Sequence, residues 1–142
     1  MRAFADLLDR LIYTRSRNTK LRLIGDYLKV TPDPDRGWAL AALTGGLDLP
    51  AVKPAIVRAL VENRVDPVLY RMSRDYVGDS AETTALLWPE RAVSGDVDLS
   101  LGRIIDRLAT LSRGDAPAVL ADYLDRLAPD ERFAFLKMAM GG

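Results

Sequence analysis

The chain has 142 residues, of which 49% are hydrophobic and 28% are charged, and its 20 basic residues are balanced by 20 acidic ones. This length and composition predict one soluble globular domain and exclude an intrinsically disordered chain. The sequence contains no cysteine and no histidine. Disulfide bonds, thiolate or imidazole metal sites and the usual general base near neutral pH are therefore excluded.

No stretch of the sequence resembles a membrane anchor. No apolar run approaches the roughly 18 residues that a membrane span needs, and Asp6 and Asp9 interrupt the region where a signal peptide would be apolar. We therefore expect a cytoplasmic protein without a membrane partner.

The first third of the chain predicts three helices. The first covers about residues 2–13 and carries one apolar stripe, Phe4, Leu7, Leu8, Leu11 and Ile12. The second begins at a cap formed by Asn18 or Ser16 and ends at Val30, with the stripe Leu21, Ile24, Tyr27 and Leu28. The third begins with Asp33 as its N-cap and Pro34 at the first helical position, and it ends at Gly45 and Gly46.

The rest of the chain predicts six more helices. The fourth carries Val52, Ile56, Val57, Leu60 and Val61; the fifth starts at Asp66 and Pro67 and carries Val68, Leu69, Met72 and Tyr76. The sixth starts at Asp79, residues 90–98 form a loop, and the last three start near Leu101, Asp115 and Pro129. Because no segment shows strand alternation, the predicted fold class is all-α, an irregular array of about nine short helices in one domain spanning residues 1–142.

A basic segment separates the first two predicted helices. From Arg10 to Arg22 there are five cations and no carboxylate, although the charges of the whole chain cancel. Such a segment is either a solvated helix junction or a contact for an anionic partner. If the second holds, Arg15, Arg17 and Lys20 would bind phosphate oxygens, while Ser16 would either donate a hydroxyl to the same partner or cap a helix.

Other candidate residues have an equally plain structural explanation. Gly45 and Gly46 permit close approach to a ligand but also end helices, and Lys53 and Arg36 are phosphate contacts or ordinary surface cations. The tryptophans and the helically spaced tyrosines are predicted to be core residues and not base-stacking platforms. Two pairs of carboxylates could in principle act as a catalytic acid and base: Asp122 with Asp125, and Asp130 with Glu131. We attribute both pairs to solvated surface charge or to favourable interaction with helix dipoles. No catalytic residue and no metal site is therefore predicted.

Three motifs in fixed order resemble one protein family. They are Thr14-x-Ser16-Arg17-x-x-Lys20, Gly78-Asp79-x-x-Glu82, and Glu131-Arg132-Phe133 followed by Leu136 and the closing Gly141-Gly142. Together they resemble the N-terminal DNA-binding domain of ATP-dependent DNA ligases. The segments Pro32–Gly37 and Arg64–Leu69 are similar to those of the bacterial members. The resemblance covers essentially the whole chain, with a departure at Ser80, where the family more often has an aliphatic residue.

The resemblance implies a function and a site. Such domains grip the minor groove of double-stranded nicked DNA, in replication and repair, beside the nucleotidyltransferase and oligonucleotide-binding domains of the same polypeptide. The catalytic lysine of a Lys-x-Asp-Gly motif, with its ATP and Mg²⁺, belongs to the next domain, and this chain lacks that motif. We therefore expect a monomeric, non-catalytic DNA-binding domain without a cofactor of its own, in which Gly141 and Gly142 join the contact. The alternative is a helical scaffold that binds a protein partner through a groove.

Overall fold

Nine α-helices form the secondary structure of residues 1–140, which are the residues described by the computed structural model. They are α1 (Arg2–Ile12), α2 (Arg17–Val30), α3 (Asp35–Leu43), α4 (Pro54–Arg64), α5 (Pro67–Val77), α6 (Ser80–Leu87), α7 (Leu101–Ala109), α8 (Ala116–Arg126) and α9 (Pro129–Met140). No strand occurs in this part of the chain, and residues 89–99 contain no helix. The predicted all-α class, the number of helices and the loop before α7 are confirmed.

Side chains cap several of these helices as the sequence predicts. Ser16 Oγ accepts a hydrogen bond from Thr19 N at 3.3 Å, at the start of α2. Asp66 accepts from two amides at the start of α5, and Asp79 does the same for α6. Each cap satisfies backbone donors that the first turn of a helix leaves free.

The predicted start of α3 is wrong. Asp33 is not its N-cap, because α3 begins at Asp35 and Pro34 precedes it. The carboxylate of Asp35 makes a tertiary contact, accepting a hydrogen bond from Gly102 N at 2.7 Å at the start of α7. A Cβ at position 102 would lie 2.6 Å from that oxygen, so glycine is needed for this close approach. The first residue of α3 is thus in contact with α7, while Arg36 Nε donates locally to Thr31 O at 2.9 Å.

The core is one cluster of buried apolar side chains with α9 near its centre. Helix α9 packs against α1 and α6, and Phe135 and Leu136 are almost completely buried. For α7 the sequence predicts an apolar stripe of Leu101, Ile104, Ile105, Leu108 and Leu111; the first four are buried in α7, whereas Leu111 follows the helix and is half-buried. The partner of α7 is α3, whereas α4 packs on α8. Burial of these apolar surfaces is the main contribution to the stability of such a fold.

Two buried polar clusters connect helices that are distant in sequence. Asp125 of α8 accepts hydrogen bonds from Arg64 of α4 and, at 2.9 Å, from the indole Nε1 of Trp88. The Arg64 guanidinium also lies 4.8 Å from the centre of the Trp88 ring. In the second cluster Arg132, only 1% exposed, donates to the carbonyl oxygens of Leu124 and Trp88. Both clusters join the ends of α6 and α8 to neighbouring helices.

The apolar stripe of α5 does not enter the core. Val68, Leu69, Met72 and Tyr76 are between 52% and 93% exposed, and α5 contains no buried residue. Helix α5 packs against α6 with its opposite side, where Tyr70, Ser73 and Val77 are less exposed. The prediction that Tyr76 is a core residue is therefore wrong, because helical periodicity identifies an apolar face but not what covers it.

Candidate nucleic-acid interface

The connection between α1 and α2 is held by its own hydroxyl groups. Thr14 Oγ1 donates to Arg10 O at 2.7 Å, and Thr14 N donates to Leu11 O at 3.3 Å. Ser16 provides the cap of α2 described above. Of the two roles left open for Ser16, the structure shows capping. The backbone of the basic segment is thus held by hydrogen bonds at the end of α1 and at the start of α2.

The cations of this segment lie apart from carboxylates. Arg10, Arg15, Arg17 and Arg22 are exposed and Lys20 is half-buried. Within residues 1–140 none of these five cations has a carboxylate oxygen within 4.0 Å. Elsewhere in the described chain some cations form such pairs, among them Arg64 and Lys137, and others, such as Arg107 and Arg113, form none. The segment therefore keeps its positive charge, which attracts anions most strongly at low ionic strength.

The glycine pair at the end of α3 has a structural role. Gly45 has a φ of +75°, and Gly46 N donates to Ala41 O at 2.8 Å, which closes the last turn of α3. A glycine in the left-handed region is the common way to end a helix. Close approach of a ligand at this position stays a prediction.

A pocket of about 400 Å³ beside the end of α3 is lined by one of the predicted residues, Gly45. Gly45 lines it from one side, Pro54 at the start of α4 from another, and Met140 at the end of α9 from a third. Lys53, which is exposed, directly precedes Pro54. Gly141 and Gly142 lie outside the described residues. The structure thus brings the Gly45 and Lys53 regions together at the end of α9, whereas the connection between α1 and α2 does not line this pocket.

A larger groove of about 630 Å³ lies between α4 and α5. Apolar side chains from α4, among them Val57 and Val61, form part of its wall, and Arg58, Arg71 and Arg74 line it together with a single acidic residue, Glu62. Arg74 is oriented by α6, because its Nε donates to Ser80 Oγ at 2.8 Å. The pairing of Arg71 or Arg74 with Asp75 that the sequence allows is not observed among the described residues.

The second motif, Gly78-Asp79-x-x-Glu82, lies at the junction between α5 and α6. Asp79 caps α6 and also pairs with Lys137 of α9, whose Nζ lies 2.7 Å from the carboxylate. Burial raises the pKa of the Asp79 carboxyl, but hydrogen bonds from Lys137 and from the amides of Glu82 and Ala81 lower it by more. The net pKa lies below the ordinary value of 3.8. This motif therefore stabilises the contact between α6 and α9.

The third motif also has internal partners. Glu131 accepts a hydrogen bond from Ala128 N at 2.9 Å, and Arg132 forms the buried contacts described above. Sequence reasoning did not identify Arg132 as a buried residue, since its partners are carbonyl oxygens at the ends of two other helices. Of the three motifs, only Thr14–Lys20 presents its cations to solvent without carboxylate partners among residues 1–140.

The carboxylate pairs considered for catalysis each have a structural partner. Asp122 pairs with Arg126, Asp125 with Arg64, and Asp130 with Arg2. No group of three potential metal-ligating side chains occurs within residues 1–140. The Asp125 pair joins α8 to α4 and the Asp130 pair joins α9 to α1, whereas the Asp122 pair lies within α8.

The aromatic residues divide into two groups. Trp88, Tyr27 and Tyr123 are buried as predicted, and Trp38 is half-buried. Tyr13, which belongs to none of the predicted apolar stripes, is 80% exposed at the end of α1. The apolar stripes predicted for α1 and α2 are not buried over their full length. Ile12, the last residue of the first stripe, and Leu21, the first residue of the second, are more than half exposed. The helical spacing of Ile12 and Leu21 does not distinguish them from the buried residues of the same stripes.

Comparison with known proteins does not assign this chain to a family. Neither the models of protein families nor the curated proteins nor the solved structures include a match to this chain. Among residues 1–140, the helices are all too short or too polar to cross a bilayer.

Proposed function

We propose that this chain is the DNA-binding domain of an ATP-dependent DNA ligase and that it grips nicked duplex DNA through phosphate and minor-groove contacts. One observation carries the proposal. In a molecule of zero formal net charge, five cations surround the connection between α1 and α2 without a carboxylate partner among the described residues. The order of the three ligase-like motifs supports the assignment to ligases. ATP and Mg²⁺ would act in the catalytic domains of the parent enzyme.

The cations would bind the sugar-phosphate backbone and not the bases. Arg15, Arg17 and Lys20 are long side chains within six consecutive residues, so that they would contact neighbouring phosphates. Contacts to phosphate position a protein on DNA without reading its sequence. A ligase has to act at nicks in any sequence, and this form of recognition meets that requirement. In this proposal the region of Gly45, Gly46 and Lys53, with Gly141 and Gly142, forms a second contact with the same duplex.

A charge reversal tests the proposal. We expect Arg17→Glu with Lys20→Glu to weaken binding to a fluorescently labelled nicked duplex by more than about tenfold at low salt, because two phosphate contacts become repulsive. Both side chains lie outside the core, so the helical content measured by circular dichroism should not change.

A matched control separates a local effect from a change in net charge. Arg103→Glu with Arg107→Glu reverses two exposed arginines of α7 and changes the net charge by the same amount. This control should reduce the affinity by less than about threefold. Equal losses in both double variants would contradict a localised contact, and absence of duplex binding at low salt would contradict the proposed function itself.

The second candidate function is a scaffold for a protein partner. It is favoured by the exposed stripe of α5, Val68, Leu69, Met72 and Tyr76, and separately by the groove between α4 and α5. Contiguous apolar surface of this kind is typical of protein interaction sites. A chain that binds no duplex at low salt would support this candidate in place of the first.

A further inference from the structure

An exposed aromatic ring lies inside the basic segment. Tyr13 is the residue directly after α1, and 80% of its surface is exposed. Two apolar residues of the same segment, Ile12 and Leu21, are 51% and 57% exposed. None of the three belongs to the core cluster or to the partly buried side chains packed against it. The basic segment therefore combines cations with a small apolar and aromatic surface.

The Tyr13 ring is free to accept a partner. Within residues 1–140 it forms no aromatic pair, no cation–π contact and no side-chain hydrogen bond. The backbone beside it is nevertheless held, since Thr14 bonds to both Arg10 O and Leu11 O. An exposed ring on a held backbone loses little conformational freedom when it binds, which favours its use as a contact.

The ring and the cations lie close enough to engage one stretch of DNA. Tyr13 precedes Arg15 by two residues and Arg17 by four. Their Cα atoms are thus separated by at most about 14 Å, the contour length of four residues. With an axial rise of about 3.4 Å per nucleotide in each strand, this distance covers roughly four nucleotides. Cations on the backbone and a ring on a nearby base are the combination by which proteins bind unpaired nucleotides.

We propose that Tyr13 stacks on an unpaired base beside an interruption of one strand, so that the domain prefers gapped duplex DNA to intact duplex. This inference rests on the proposed function, because the cations must first hold the duplex. In an intact duplex both faces of each base are covered by neighbouring bases, and the ring has no base to stack on. At a one-nucleotide gap the base opposite the gap has lost its pairing partner and is displaced at low cost.

The test compares three duplexes of one sequence: intact, nicked, and with a one-nucleotide gap. Loss of a stacking contact corresponds to a factor of about ten in affinity. We expect Tyr13→Ala to weaken binding to the gapped duplex by about that factor, and binding to the intact duplex by less than about twofold. Tyr13→Phe retains the ring and should bind like the wild-type chain. A 2-aminopurine base placed opposite the gap should lose fluorescence on binding to the wild-type chain but not on binding to Tyr13→Ala.

The matched control is Tyr76→Ala, which removes a tyrosine that is 93% exposed on α5, outside the basic segment. It should leave all three affinities unchanged. If Tyr13→Ala weakens all three duplexes equally, or none, the stacking role is overturned, while the charge reversal at Arg17 and Lys20 still decides the proposed function. If the wild-type chain binds no duplex at low salt, both proposals are overturned.

Discussion

Arg132 shows how a charged residue becomes part of a core. Its side chain is 1% exposed, and it donates to two backbone carbonyl oxygens and to Glu90. The carbonyl groups belong to Leu124, near the end of α8, and to Trp88, directly after α6. Carbonyls at helix ends have no partner within their own helix, so a buried arginine satisfies them.

We expect Arg132→Met to lower the free energy of unfolding by about 3 kcal/mol, because the two carbonyl groups are left buried without donors. Urea denaturation followed by circular dichroism measures the change. Glu90→Gln is the control, because it removes only the negative charge of a side chain that is 75% exposed. Loss of that charge should lower the free energy of unfolding by less than about 1 kcal/mol. A fully stable Arg132→Met chain would show that the arginine is not needed for the fold.

Asp79 gives the fold a defined dependence on pH. Burial raises the pKa of its carboxyl, but the opposing hydrogen bonds from Lys137 and two amides leave the folded-state pKa below 3.8. A carboxyl whose pKa is lowered by folding stabilises the folded state above its unfolded pKa, and this stabilisation is lost as the pH falls through the folded pKa. Asp79 therefore contributes fully at neutral pH and loses its contribution in acid, below pH 3.8.

Two variants separate the charge of Asp79 from its capping role. Asp79→Ala should cost about 1 kcal/mol at neutral pH, because the cap of α6 is lost. Asp79→Asn keeps an acceptor for the cap and should cost less. The difference between wild type and Asp79→Asn, measured by thermal unfolding from pH 7 downward, should disappear in acid. A difference that persists unchanged with the carboxyl protonated would rule out the ionised group as its cause.

At the level of elements, the sequence predicted what is local. Helix order, the caps at Ser16, Asp66 and Asp79, and the buried stripe of α7 depend on residues close in the chain. Burial of Arg132 and the contact of Asp35 with α7 depend on distant helices, and neither was predicted. The exposed stripe of α5 has the same spacing as a buried one, so periodicity alone does not distinguish them.

The candidate site was predictable to a similar extent. The acid-free composition of residues 10–22 is visible in the sequence, and the exposure of Arg15 and Arg17 agrees with it. Exposure of Tyr13 was not predicted, because its position in the chain continues an apolar helix. The meeting of Gly45 and Pro54 at the end of α9 is a tertiary arrangement that no local pattern encodes.

For the whole molecule, zero formal net charge means that any attraction to DNA must be local. If about three to four cations contact phosphates, the logarithm of the binding constant should fall against the logarithm of the salt concentration with a slope of about −3 to −4. Arg17→Glu with Lys20→Glu should make that slope shallower by about 2, whereas the α7 control should leave it unchanged. Titrations at several salt concentrations measure it. A slope near zero in the wild-type chain would exclude phosphate contacts as the source of affinity.

Helix α5 is attached differently from its neighbours. It buries none of its residues completely, and its main packing partner is α6. The wall that α5 contributes to the groove between α4 and α5 is therefore positioned by α6, through the hydrogen bonds of Tyr70 with Thr84 and of Arg74 with Ser80. A substitution that loosens α6 should thus also displace the arginines that α5 presents in the groove.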